Sequence, residues 1–143
     1  MIDVHCIILN KSSMDVTPRA TLYQTQIYMC GDRHKTIEVA LTEPIIVSKV
    51  KTESESSQTI YISIPREASL SIKSPIISVK YWVHMTLDIP FAIDLHLNLP
   101  IVVTNEAALN ASKQHRDSGA LNASKLKEQP SSQNFGVFLI SNQ

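Results

Sequence analysis

The chain has 143 residues, room for one domain, and an apolar share of 43% that is ordinary for a protein able to bury a core. Thirteen basic residues balance thirteen acidic ones, which removes the electrostatic basis for nucleic acid or an anionic membrane surface as the main partner. No apolar run approaches the ~20 residues of a membrane helix, and Met1-Ile2-Asp3-Val4-His5 lacks the pattern of a signal peptide, so the chain reads as cytoplasmic.

Residues 2–9 alternate imperfectly, 19–29 are dense in strand-favouring Thr, Tyr and Ile, and 35–41 place Ile37, Val39 and Leu41 on one face. Each predicts a strand. Gly31-Asp32 marks a hairpin tip between the second and third. Residues 51–57 are polar and read as an exposed connection, after which Ile60, Ile62 and Ile64 alternate into Pro65, which stops the strand. The strongest signal follows. Ile77, Val79, Tyr81, Val83, Met85 and Leu87 alternate with polar neighbours, as do Ile93, Leu95, Leu97, Leu99, Ile101 and Val103. Joined around Ile89-Pro90-Phe91, these two segments predict a long antiparallel hairpin with Val79, Tyr81, Val83, Leu95, Leu97 and Leu99 facing the core. His96 and Asn98 then face outward, since a one-residue slip would invert every side chain. No window before residue 105 has a helical period, so the expected fold is an all-β, immunoglobulin-like antiparallel sandwich over residues 1–106.

Composition changes after Thr104. Ala108-Leu109-Asn110-Ala111-Ser112-Lys113 recurs as Ala120-Leu121-Asn122-Ala123-Ser124-Lys125, and a polar spacer follows at 129–134. Residues 107–143 therefore read as a low-complexity tail, mobile up to about residue 134. The apolar segment Phe135 to Ile140 is long enough for a short strand that docks on the body.

Ala20-Thr21-Leu22-Tyr23-Gln24-Thr25-Gln26, Ile64-Pro65, Ile76-Ile77-Ser78-Val79-Lys80-Tyr81, Asp88-Ile89-Pro90 and Asp94-Leu95-His96-Leu97-Asn98-Leu99-Pro100-Ile101-Val102 together resemble the C-terminal lobe of α-arrestins, the arrestin domain-containing proteins. The resemblance spans roughly residues 2 to 104, with the segments in the family's order. It implies a non-enzymatic, cofactor-free adaptor acting at the plasma membrane and endosomes. Such adaptors bring receptor or transporter cargo to HECT-type ubiquitin ligases, whose WW domains dock Pro-Pro-x-Tyr motifs. Three departures qualify it. An N-terminal lobe and the opening strand of the C-terminal lobe are absent from these residues, no Pro-Pro-x-Tyr occurs, and Ser74 stands where relatives commonly have cysteine. An incomplete lobe would expose a sheet edge, with self-association as the expected consequence. The alternative is a protein-interaction sandwich like the arrestin-like subunit of the retromer coat, without ligase coupling.

No residue set assembles a catalytic or metal site in the sequence. His84 and His96 fall on the polar faces of the predicted hairpin, where two ligands without a third read as a solvated pair. Asp88 and Asp94 flank its turn and read as bonding local backbone N–H groups. Cys6 and Cys30 match no redox or zinc spacing and read as free buried thiols, and the Asn-x-Ser sequons at Asn10, Asn110 and Asn122 as chance matches. Tyr23, Tyr61 and Tyr81 read as core-edge residues. Trp82 points outward by parity: it is either a partner contact, since aromatic residues are enriched at interfaces, or is covered by the tail or a loop.

Overall fold

A computed structural model describes residues 1–105, 107 and 110, together with the backbone path of 134–141. Nine strands are present among them: β1 (Ile2–Lys11), β2 (Thr17–Cys30), β3 (Arg33–Ala40), β4 (Ile45–Ile46), β5 (Ser54–Ile62), β6 (Ile72–Lys73), β7 (Ile77–Asp88), β8 (Leu95–Ile101) and β9 (Asn134–Ser141). They form two sheets. In the large one β2 and β7 lie centrally and antiparallel; β3 and β4 flank β2, while β6 and β8 flank β7. The small sheet has the order β5-β1-β9, with β5 antiparallel and β9 parallel to β1. The expected all-β antiparallel sandwich is the observed architecture.

Period-2 alternation builds the core. Val4, Cys6 and Ile8 of β1 and Ile60 and Ile62 of β5 meet Ala20 and Leu22 of β2 and Val83, Met85 and Leu87 of β7, with Val16 and Val50 closing one end. Each fully buried Val, Leu or Ile contributes about 1.5–3 kcal/mol from removal of apolar surface from water. Val79, Tyr81 and Val83 are buried as the alternation predicted, and Leu97 and Leu99 pack against the core while half-buried. His96 and Asn98 are on the exposed side.

Several expectations are corrected. Leu95 is exposed and Ile93 is 89% exposed, because β8 begins only at Leu95 and Ile93 lies in the turn before it. Residues 54–57 are not a loop: β5 starts at Ser54, and Ser54, Glu55, Ser56 and Ser57 pair with Asn10, Leu9, Ile8 and Ile7. Their polarity misled because only one face of this strand is covered and its inward apolar residues come late, at Ile60 and Ile62. Tyr61 is 61% exposed, being odd in parity between those two. Val39 is exposed, on β3 at the edge of the large sheet, where β2 is its strand neighbour among the described residues. Cys6 is buried as expected, but Cys30 ends β2 at the hairpin tip and is exposed.

Turns follow the local chemistry. Gly31 takes a positive φ of 60° between β2 and β3, where its missing Cβ removes the steric cost. In the β7–β8 turn Asp94 accepts a bond from the Ile89 N–H at 3.0 Å, the local role expected of it. Asp88 instead accepts both contacts of Arg19 Nε, at 2.9 and 3.0 Å.

The segment from Phe135 to Ile140 docks: β9 lies along β1 with Val4 opposite Asn134 and Lys11 opposite Ser141. The repeated block, apart from Asn110, and the polar spacer up to residue 133 lie outside the described residues, and with them the expected mobility.

Candidate contact surface

The alternation that sends Val83 and Met85 inward leaves Trp82, His84 and Thr86 on the outer face of the large sheet. Pairing sets their neighbours. Trp82 lies opposite Tyr23 on β2 and Pro100 on β8, His84 opposite Thr21 and Asn98, and Thr86 opposite Arg19 and His96. Side chains directly opposite or diagonal within a sheet are in reach of one another, and here they form a connected aromatic strip. The Tyr23 and Trp82 rings meet at 69° with centroids 6.4 Å apart, the Tyr23 and His84 rings at 90° and 6.0 Å. His84 and His96 stack, 5.2 Å apart with planes 20° from parallel.

The two histidines are thus diagonal neighbours. Their remaining contacts are to amide and hydroxyl groups: His84 Nδ1 bonds Asn98 Oδ1, and His96 Nδ1 lies 3.3 Å from Thr86 Oγ1. Among the described residues no group of three or more His, Cys, Asp or Glu side chains converges as a metal site would require.

Trp82 is half-buried in this strip. Its Nε1, like Thr25 Oγ1, is buried with no hydrogen-bond partner among the described residues. A hollow of about 190 Å³ opens beside it, lined by Tyr23, Glu38, Trp82, His84 and Asn98. This is smaller than the roughly 300–1,000 Å³ of a typical small-molecule pocket. A larger concavity of about 710 Å³ lies between β4 and β5, lined by Ile46, Val47, Ser48, Ser56, Gln58 and Thr59, none of them titratable.

Two polar networks went unseen in the sequence. Residues of the Tyr-Gln-Thr-Gln segment belong to a one-way relay: Tyr28 OH donates to Gln26 Oε1 at 2.8 Å, Gln26 Nε2 to Gln24 Oε1 at 2.7 Å, and Gln24 Nε2 to Tyr81 OH at 2.6 Å. Tyr81 OH donates in turn to the Ser69 carbonyl. The i, i+2 spacing of the glutamines was the available signal, because it puts both on one strand face. The second network surrounds Asn10, fully buried at the end of β1. Its Nδ2 donates to the carbonyls of Met14, Lys51 and Val50 at 2.8, 3.0 and 3.2 Å, and its Oδ1 accepts from Ser12 N and Oγ at 3.0 and 2.7 Å. The sequon Asn10-Lys11-Ser12 is therefore a structural clamp, closed to a glycan in the folded state.

Cys6 donates to the Gln58 carbonyl at 3.5 Å, and burial pushes its thiol above the usual range, only partly offset by that bond. A thiol held protonated is a poor nucleophile.

The outer-face strip, the inner relay that involves Gln24, Gln26 and Tyr81, and every strand but β9 occur within the stretch matched by the family described as arrestin (or S-antigen), C-terminal domain, residues 1–107. That match covers well over half of the chain, and the protein belongs to the arrestin C-terminal domain family.

Proposed function

We propose that this chain acts as a non-enzymatic adaptor of the α-arrestin kind in endocytic sorting of membrane proteins, with the outer face around Trp82 as its contact surface. The family membership carries the proposal. The segments Tyr23-Gln24-Thr25-Gln26 and Asp94-Leu95-His96-Leu97-Asn98-Leu99-Pro100 favour the α-arrestin branch. A half-buried tryptophan within an aromatic strip suits a protein contact, where such side chains bury much area at little entropic cost. Its cargo class is the cytoplasmic segments of receptors or transporters, and its place of work the cytoplasmic side of the plasma membrane and endosomes.

No Pro-Pro-x-Tyr occurs in these 143 residues, so any coupling to a HECT-type ligase through these residues would be indirect. A sorting-coat role without ligase coupling is the second reading. The test is titration of the purified chain against arrayed cytoplasmic segments of transporters and receptors, and separately against isolated WW domains. Saturable binding to array members that weakens on Trp82→Ala, in a variant shown to remain folded, supports the adaptor reading. No array binding, or binding indifferent to Trp82, overturns it. Micromolar affinity for a WW domain would overturn the indirect coupling.

A further inference from the structure

We infer that the hollow between Tyr23, Trp82, His84 and Glu38 is a recognition cage for one arginine side chain of a protein partner. The inference rests on the Trp82 face being a contact surface, as proposed above, and specifies the chemistry it selects. The Tyr23 ring stands steeply to both of its neighbours, 69° to Trp82 and 90° to His84, so the three do not form a flat stack and Tyr23 is a wall beside the other two. An aromatic wall presents its negative π-face to a cation.

The fourth wall is Glu38. It is exposed on β3, opposite Thr25 in register, and makes no ion pair among the described residues. Of the chain's own cations on this face, Arg19 is held by Asp88, and none of Arg19, Lys73 and Lys80 lines the hollow. Free carboxylate plus aromatic walls complement a positive charge. The volume of about 190 Å³ suits a single side-chain head, being about six times the ~30 Å³ share of one water. Arginine fits better than lysine. Its planar guanidinium stacks on aromatic faces and can offer paired N–H donors to a carboxylate, whereas an ammonium is a compact, strongly hydrated charge.

Trp82 is the chain's single tryptophan, so intrinsic fluorescence reads the cage directly. The probes are the capped peptide Ser-Arg-Ser and its citrulline counterpart, which has nearly the same shape without the charge. The arginine peptide is expected to give a saturable emission change in the millimolar range, with the citrulline peptide giving none. Glu38→Gln, at an exposed position where folding is not at stake, should raise the dissociation constant by about two- to fivefold, the scale of an exposed ion pair. Tyr23→Ile, a strand-compatible change, should raise it by a similar factor as one π wall is lost. Equal responses to the two peptides, no response, or unchanged affinity in Glu38→Gln overturns the cage. Array binding that depends on Trp82 but not on Glu38 would leave the contact surface standing and reject the arginine cage alone.

Discussion

Replacing Asn10 with aspartate changes one atom type in a fully buried side chain and inverts its chemistry. The amide has two N–H donors, shared among the carbonyls of Met14, Lys51 and Val50 at 2.8–3.2 Å. A carboxylate turns an acceptor toward these acceptors, while the other oxygen keeps its bonds from Ser12. Loss of two buried donors costs about 1 kcal/mol each, and an uncompensated buried charge adds more, for a total of about 3–5 kcal/mol at pH 7. Against the 5–15 kcal/mol typical of whole domains, that is a large fraction. The sign of the pH dependence follows from the same contacts. Burial among carbonyls raises the folded-state pKa of the introduced carboxyl above its unfolded value of about 3.9, so the folded form binds more protons and the variant loses stability as pH rises above about 4. Urea unfolding of parent and Asn10→Asp at pH 4 and pH 7 measures both quantities. Ser12→Ala, which removes one of two donors to Oδ1, should cost only about 1 kcal/mol. An Asn10→Asp variant within 1 kcal/mol of the parent at pH 7, or one whose deficit does not grow between the two pH values, would refute the clamp.

Deleting residues 130–143 removes β9 and uncovers the edge of β1, so the truncated chain should dimerise or aggregate where the full chain does not, as light scattering would report; stable monomers both with and without the segment would reject the argument. Native protein should titrate one thiol with Ellman's reagent and two after denaturation, since Cys30 is exposed and Cys6 is buried; rapid labelling of both would show that β1 opens readily. Because burial holds the Cys6 pKa above its ordinary 9.0, the unfolded chain releases that proton first, and stability should fall as pH rises past this value, an effect that Cys6→Ala would abolish. Arg19→Gln should lower stability by less than about 1 kcal/mol despite good geometry, since both partners are about one-third exposed and water screens the pair; a larger loss in a chemical unfolding curve would mean the pair is more shielded than its exposure indicates.

Local pattern alone determined the strand character of this chain. The alternation from Val79 to Leu87 and from Leu97 to Ile101 dictates which side chains pack into or against the core, because successive residues on an extended backbone point to opposite faces. The family resemblance was legible for the same reason, as its segments are strand-length motifs. Partnership between distant strands is what only the tertiary structure decided. That β1 lies between β5 and β9, some fifty and one hundred and thirty residues away, depends on sheet pairing, which no short window encodes. The polar strand Ser54–Ser57, the carboxylate of Asp88 held by Arg19, and Asn10 at the meeting point of two loops were misread or missed because long-range partners set their roles. The candidate site divides likewise. Parity placed Trp82 outward, but its meeting with Tyr23, His84 and Glu38 required β2, β3 and β7 to align in one register, and that register is a property of the assembled sheet.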